Sequence, residues 1–275
     1  MVEVTLSLAN GRQVPFEVDR DLAGPAFFVL GIRKCGSSLL NMLCIDLARM
    51  NNRWFIDVGG KFFFANVPAR VWSRDPALCD LLSGGNVYGG FREMPIALAD
   101  HPIFRDGPKI LLVRDPRDAL VSEYFSSAYS HPIPPRADLD APMTDLMEEL
   151  RREALNTGID AFVINRARWM RQTFLGYTES ARLARTVVVR YEDYIFRKPE
   201  LVRLIAQQFG FKVEDGQIDG MMRWADQRPA IEEPTAFVRR VTPGDHRVKL
   251  RPATIDALNE LLKPAMDAFG YPMCP

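Results

Sequence analysis

Four short apolar runs, Phe27 to Leu30, Trp54 to Val58, Ile110 to Val113 and Thr186 to Arg190, divide the chain, and three of them are followed by a stretch patterned as a helix. Runs so short, with no polar alternation, suit strands buried on both faces. Strand followed by helix, repeated, is the order of a parallel sheet covered by helices, so the expected fold class is α/β. The helical stretches run from Leu39 to Met50, from Pro116 to about Tyr129, from Thr144 to about Leu175 with a break at Gly158, from Pro199 to Phe209 and from Pro252 to Phe269. Asp115 is placed as an N-cap with Pro116 in the first turn, and His131-Pro-Ile-Pro-Pro135 stops that helix. Residues 2–8 and 13–18 alternate around Asn10-Gly11, which predicts a small hairpin closed by a type I′ turn, an appendage spanning 1–22. With no repeat or linker, 1–275 reads as a single domain, and 229–249 as a long loop of the kind that is functional or disordered.

Composition narrows the function. Thirty-five basic residues offset thirty-five acidic ones, so no global field favours nucleic acid or an anionic membrane, and any anion site has to be built locally. Three histidines and four cysteines (Cys35, Cys44, Cys79, Cys274) without a C-x-x-C pair leave no metal site in view and suit reduced, cytoplasmic thiols. The N-terminus lacks the basic-then-apolar plan of a signal peptide, and no run of apolar residues is long enough to span a bilayer.

The loop Gly31-Ile-Arg33-Lys34-Cys35-Gly36-Ser37-Ser38 joins the first strand to a buried helix, where backbone N–H groups and the helix dipole favour an anion. It has the two glycines of a Walker A loop, yet Ser37 stands where that loop's lysine belongs and the lysine is at 34. A phosphoryl-transfer enzyme would lose its reach to the terminal phosphates, whereas a sulfuryl donor, with less charge to neutralise, can be handled by one lysine and a few N–H and hydroxyl donors. Further along, Leu111-Leu-Val-Arg114-Asp-Pro-Arg-Asp-Ala-Leu-Val-Ser122 sets an arginine fork at a strand end and a hydroxyl on the next helix, a pairing suited to a phosphate dianion.

These segments resemble the sulfotransferases that use 3′-phosphoadenosine 5′-phosphosulfate. Residues 33–38 are similar to that family's 5′-phosphosulfate loop, with Cys35 in place of the commoner serine, and 111–122 to its 3′-phosphate segment. Val187-Val-Val-Arg190-Tyr191-Glu192-Asp193 is similar to its Y-E-D strand end, and Phe237 to His246 to its late R-K-G and G-D-W segment, with Val241 and His246 as departures. The resemblance implies a three-layer α/β/α, P-loop-like fold of a bacterial cytosolic type. It also implies a metal-independent enzyme releasing adenosine 3′,5′-bisphosphate. Lys34, Gly36, Ser37 and Ser38 would hold the 5′ end, with Arg33 and Cys35 in the same loop. Arg114, Ser122, Arg239 and Arg240 would hold the 3′-phosphate and Tyr191 would touch the nucleotide. Trp224 is the candidate to stack on adenine.

The family's histidine base stands in a K-T-H-x-P-like segment, and the matching stretch here, Gly90-Phe-Arg92-Glu93-Met-Pro95, offers Glu93 instead. Glu93 is therefore the expected general base, with Arg92 orienting acceptor or sulfuryl oxygens. His101 and Asp57 compete with it, while His131 and His246 rank lower, one in a proline-rich loop and the other in the 3′-phosphate cap. The acceptor stays open among small molecules, saccharides and lipid-like alcohols, as does oligomeric state. The alternatives are a P-loop nucleotide or nucleoside kinase and a relative that binds the bisphosphate without turnover.

Overall fold

The structure, a computed structural model, describes residues 1–136 and 140–273. Cys274 and residues 137–139 of the segment expected near an acceptor lie outside the described residues. In chain order the elements are β1 (Val2–Ser7), β2 (Gln13–Val18), β3 (Phe27–Gly31), α1 (Ser37–Met50), β4 (Phe55–Asp57), α2 (Val58–Phe64) and α3 (Ala69–Trp72). There follow β5 (Val87–Phe91), α4 (Pro102–Asp106), β6 (Lys109–Val113), α5 (Pro116–Phe125) with a π turn over Ser126–Ser130, and α6 (Pro142–Gly176). The chain closes with α7 (Thr178–Ala181), β7 (Thr186–Arg190), α8 (Tyr191–Tyr194), α9 (Lys198–Phe209), α10 (Asp215–Ala225), α11 (Asp245–Lys249) and α12 (Pro252–Phe269).

Five strands form one sheet in the order β4-β5-β3-β6-β7, every neighbouring pair parallel. Successive residues of β3 serve opposite faces: Phe28 and Leu30 join one core with β2, α2, α5, α6 and α12, whereas Phe27 and Val29 join another with α1, α9 and α10. Two cores separated by one sheet make the three-layer α/β/α arrangement. No helix among the described residues is long and apolar enough to cross a membrane.

β5 is the element that the sequence pattern hides. Its Gly89-Gly90 pair reads as a strand breaker, because glycine weakens a strand interior. Here glycine is required by close approach: a Cβ on Gly89 would sit 2.2 Å from the Phe55 ring and one on Gly90 2.0 Å from the Asp57 carboxylate, both on the neighbouring strand. The hairpin also differs from expectation. Asn10 is not among the residues with positive φ, while Gly11 is at +82° with its N–H on the Leu8 carbonyl, so the turn is the glycine-bulge kind and not type I′. Nor is the hairpin free-standing, since Leu6, Val14, Phe16 and Val18 are buried in the larger core and Phe16 packs edge-on against Phe62. α6 does break where glycine allows it, at Gly158 with φ 75°.

Candidate active site

Parallel strands deliver their C-terminal ends to one side of the sheet, and β3 marks the point where the chain, having built β4 and β5 on one flank, crosses to β6 and β7 on the other. Such a reversal opens a crevice at the carboxyl edge. Across that edge, at strand spacings of about 4.8 Å, stand Asp57 after β4, Arg92 and Glu93 after β5, residues 32–36 after β3, Arg114 after β6 and Tyr191 after β7. Segments 160 residues apart in the chain thus become neighbours.

The loop after β3 is shaped by its own residues. Lys34 adopts a left-handed φ of 66°, unusual for a side chain with a Cβ, and Gly36 follows at 93° as the N-cap of α1. Glycine is favoured at 36, because a side chain is strained at that φ and an added Cβ would lie 3.1 Å from the Tyr191 ring. No side chain caps α1, which leaves its first N–H groups facing the crevice. Arg33 N–H donates to the Arg92 carbonyl at 3.3 Å and Ile32 N–H to that of Leu112 at 3.2 Å, so the loop is stitched to both flanking strands.

Charge is concentrated here and only partly cancelled. Arg33 holds the fully buried Glu123 through Nε at 3.0 Å, yet its Nη2 is buried with no partner. Burial alone would raise the Glu123 pKa, but Arg33 and Lys34 hold it below the usual value. Lys34 has no ion-pair partner among the described residues. Burial, reinforced by Arg33, Arg92 and Arg114 and opposed by Glu123, lowers its ammonium pKa to about 8. Arg114 lies 4.5 Å over the Tyr191 ring and 3.7 Å from the Asp118 carboxylate, with its Nε buried and unbonded, and it is one of the cations that lower the Lys34 pKa. These orphaned donors fit a doubly phosphorylated ligand along the carboxyl edge.

The other arginine of Arg114-Asp-Pro-Arg117-Asp118 has a structural task. Arg117, fully buried, donates to Asp115, to Asn259 on α12 and to the Pro272 carbonyl. Asp118 receives the Gly244 and His246 backbone N–H groups at 2.7 and 2.9 Å and His246 Nδ1 at 2.6 Å, fixing the 239–246 segment beside α5. Burial would raise the Asp118 pKa, but His246 and Arg114 hold it well below the normal range. Tyr191 ties down the same segment through its hydroxyl, which donates to the Val241 carbonyl at 2.9 Å.

Not every expected ligand is free. Arg239 is buried against Glu232 and Asp245 and 4.0 Å over Phe125, so its charge is already matched and it orders its loop. Arg240, farther from the same carboxylates at 3.8 and 3.6 Å, is more open. Trp224 donates to Asp46 at 3.2 Å, pinning α10 to α1. Ser122 lies on α5, two turns beyond Arg114.

Of the proton acceptors, Glu93 lines a cavity of about 110 Å³ together with Arg33, Arg92, Arg166 and the apolar side chains of Phe63, Trp72 and Met147. Burial raises its pKa, while Arg33 and Arg166 restrain the rise. His101 is not brought to this edge: it caps α4 through Nδ1, accepting from Ile103 N–H, just before β6 begins, and so lies at the opposite end of the strands. Asp57 is occupied as the N-cap of α2, accepting from Gly60 N–H at 2.9 Å. His131, ranked below Glu93 from the sequence, is brought close to this loop by the fold. The π turn after α5 carries it next to Phe63 and into the field of Arg33 and Lys34. Burial, with those cations, lowers its pKa to about 4. A carbonyl can only accept, so the 2.8 Å contact of Nδ1 with the Pro132 oxygen puts the proton on Nδ1 and leaves the Nε2 lone pair available. Nothing in the linear pattern marks that π turn.

Among the described residues no group of three or more His, Cys, Asp or Glu side chains is arranged to hold a metal ion. A solved structure shares the fold. Mouse sulfotransferase SULT7A1 complexed with PAP superposes with a TM-score of 0.56 at 14% identity, over 91% of this chain and 85% of that one. Retinol dehydratase in complex with androsterone and inactive cofactor PAP gives 0.49 at 14% identity over 96% and 90%, and a sulfotransferase from Alicyclobacillus acidocaldarius 0.46 at 14% over 90% and 94%. Among curated proteins the sequence finds no match. The sulfotransferase domain model matches residues 93–270, from Glu93 through the Arg114 and Tyr191 strand ends to α12, more than half of the chain, and the chain therefore belongs to the sulfotransferase domain family.

Proposed function

We propose that the protein transfers a sulfuryl group from 3′-phosphoadenosine 5′-phosphosulfate to the hydroxyl or amine of an acceptor, with Glu93 taking the acceptor's proton. The observation that carries this reading is the order of side chains across the sheet edge: a carboxylate after β5, a lysine loop after β3 and, after β6, a guanidinium whose Nε is buried without a partner, on three adjacent strands. The donor supplies the sulfuryl group and a bisphosphate leaving group. Lys34, the α1 N–H groups, Ser37 and Ser38 fit its 5′ end, and Lys34 is placed to stabilise charge on the bridging oxygen as it departs. Arg114, with Ser122 and Arg240 nearby, fits the 3′-phosphate, while Arg239 and Tyr191 hold the loop that covers it. Glu93 is chosen because it lines the cavity and burial makes it a stronger base than an exposed carboxylate.

Calorimetry tests the donor assignment. Adenosine 3′,5′-bisphosphate is expected to bind without magnesium, and a magnesium-dependent preference for ATP would overturn the reading in favour of a kinase. Glu93→Gln is expected to cut transfer by about 100-fold or more with bisphosphate affinity retained, within the range usual for a general base. The free Nε2 of His131 favours a second reading in which the imidazole is the base. In that case His131→Gln, and not Glu93→Gln, abolishes transfer.

A further inference from the structure

We infer that the acceptor is an anionic amphiphile, an alcohol or phenol with an apolar body and a carboxylate-like group that Arg166 and Arg92 hold while its hydroxyl meets Glu93. The inference rests on the sulfuryl-transfer reading above and adds the substrate class. The cavity beside Glu93 joins two kinds of wall that a neutral ligand would not need together. One wall is apolar, made by Phe63 and Trp72 on one side and by Met147 and Leu150 of α6 on the other. The charged part of the lining is three guanidinium groups and the single carboxylate of Glu93. Arg33 is pinned to Glu123, whereas the other two form no ion pair among the described residues. No carboxylate lies within ion-pair distance of Arg166 among the described residues, and its Nε is buried with no hydrogen-bond partner. The Arg166 guanidinium lies 4.4 Å over the Trp169 ring, which fixes its plane and leaves its edge open to a ligand. Arg92 likewise has no ion pair, and the acid whose field it feels, Asp57, is committed to capping α2.

A guanidinium desolvated without a counter-charge costs stability, and a planar carboxylate is the partner whose geometry matches the fork. Burial lowers the pKa of both arginines and outweighs the carboxylates that act on them, Asp57 on Arg92 and Glu123, Glu153 and Glu93 on Arg166. The donor does not account for Arg166. Its 5′ end is served by the β3 loop, whereas Arg166 comes from α6, the helix that supplies Met147, Leu150 and Trp169 to the acceptor wall.

Paired acceptors that differ only in the anion test this: para-ethylphenol against para-hydroxyphenylpropanoate, and octanol against ω-hydroxyoctanoate, each assayed for labelled sulfuryl transfer and titrated by calorimetry. The carboxylate member of at least one pair should show a KM and Kd lower by about tenfold, equivalent to ~1.4 kcal/mol. Arg166→Gln should bring that ratio to about threefold or less, and Arg166→Lys should recover part of it. Thermal unfolding checks the folding of each variant, and Arg92→Gln serves as the second substitution should Arg166→Gln not fold. Equal constants within both pairs, or a preference that survives both substitutions to Gln, overturn the inference and leave sulfuryl transfer standing. Arginine-dependent binding of the carboxylates with no transfer to any acceptor supports the anion site and sinks the sulfuryl-transfer reading instead.

Discussion

At Lys34 two costs meet on one residue: a left-handed backbone and an ammonium group held among Arg33, Arg92 and Arg114. Backbone strain of this kind persists where the surroundings over-determine it. The titration has a definite sign. A lysine whose folded pKa falls from 10.5 to about 8 is less willing to be charged in the folded state than in the unfolded chain, so the unfolded chain binds more protons between those values. Its charge therefore opposes folding below pH 8, and that penalty fades as pH rises toward 10.5. Three outcomes follow. Lys34→Met should raise the unfolding midpoint of the ligand-free protein, by ~2–4 °C for each kcal/mol recovered. The same substitution should lower kcat by about 100-fold or more, the usual cost of losing a donor at a developing anion. In the wild type, kcat/KM should decline above about pH 8 as Lys34 deprotonates in the free enzyme. An unchanged midpoint together with normal turnover would show that Lys34 bears no such strain. Residue identities of this kind were legible in the sequence because a lysine before a glycine at a strand end is a local signal. The partners of Arg239 and the tautomer of His131 were not, since both depend on residues brought in by the fold.

Elements show where local pattern fails. β5 escapes a reading based on apolar runs because two of its five residues are glycines, and their purpose lies on β4, in the Phe55 ring and the Asp57 carboxylate that press against them. By contrast α12 matches its expected bounds, because Pro252 in its first turn and Gly270 as its αL cap are local stop and start signals. Gly36 belongs to both kinds, a sequence signal whose reason is tertiary. Gly36→Ala puts a Cβ at φ 93° against Tyr191, so the change should cost about 1–2 kcal/mol for the backbone alone. It should also push the Tyr191 ring away from the loop, loosen its hydroxyl bond to Val241 and weaken adenosine 3′,5′-bisphosphate binding by about tenfold. Chemical denaturation and calorimetry on the same variant read the two effects separately, and full affinity in a destabilised variant would show that the loop does not touch the bisphosphate.

Across the whole molecule, chain order and spatial order are different things, and only the first can be read from one sequence. That β5, β3 and β6 are neighbours, and hence that Glu93, Lys34 and Arg114 share an edge, follows from a sheet order no spacing announces. The N-terminal hairpin makes the same point about stability. Its alternation predicts one buried face but not what that face covers, and Phe16, Val14 and Val18 turn out to close the core beneath α2, the helix that brings Phe63 to the acceptor cavity. The hairpin is also bonded to the body through Trp54 Nε1, which donates to the Glu17 carbonyl, and through Ala9 N–H on Asp75. Phe16→Ala should therefore cost about 3–5 kcal/mol, as for a buried aromatic, and not the few tenths expected of a surface extension. Removing residues 1–22 would expose Phe62 and Trp72, which stack on one another in that core, so the shortened chain should aggregate or lose acceptor binding before it loses bisphosphate binding at the loops after β3 and β6. Urea unfolding of Phe16→Ala and bisphosphate calorimetry on the truncated chain decide the matter, and a truncated protein with native stability and acceptor KM would show that the hairpin is dispensable after all.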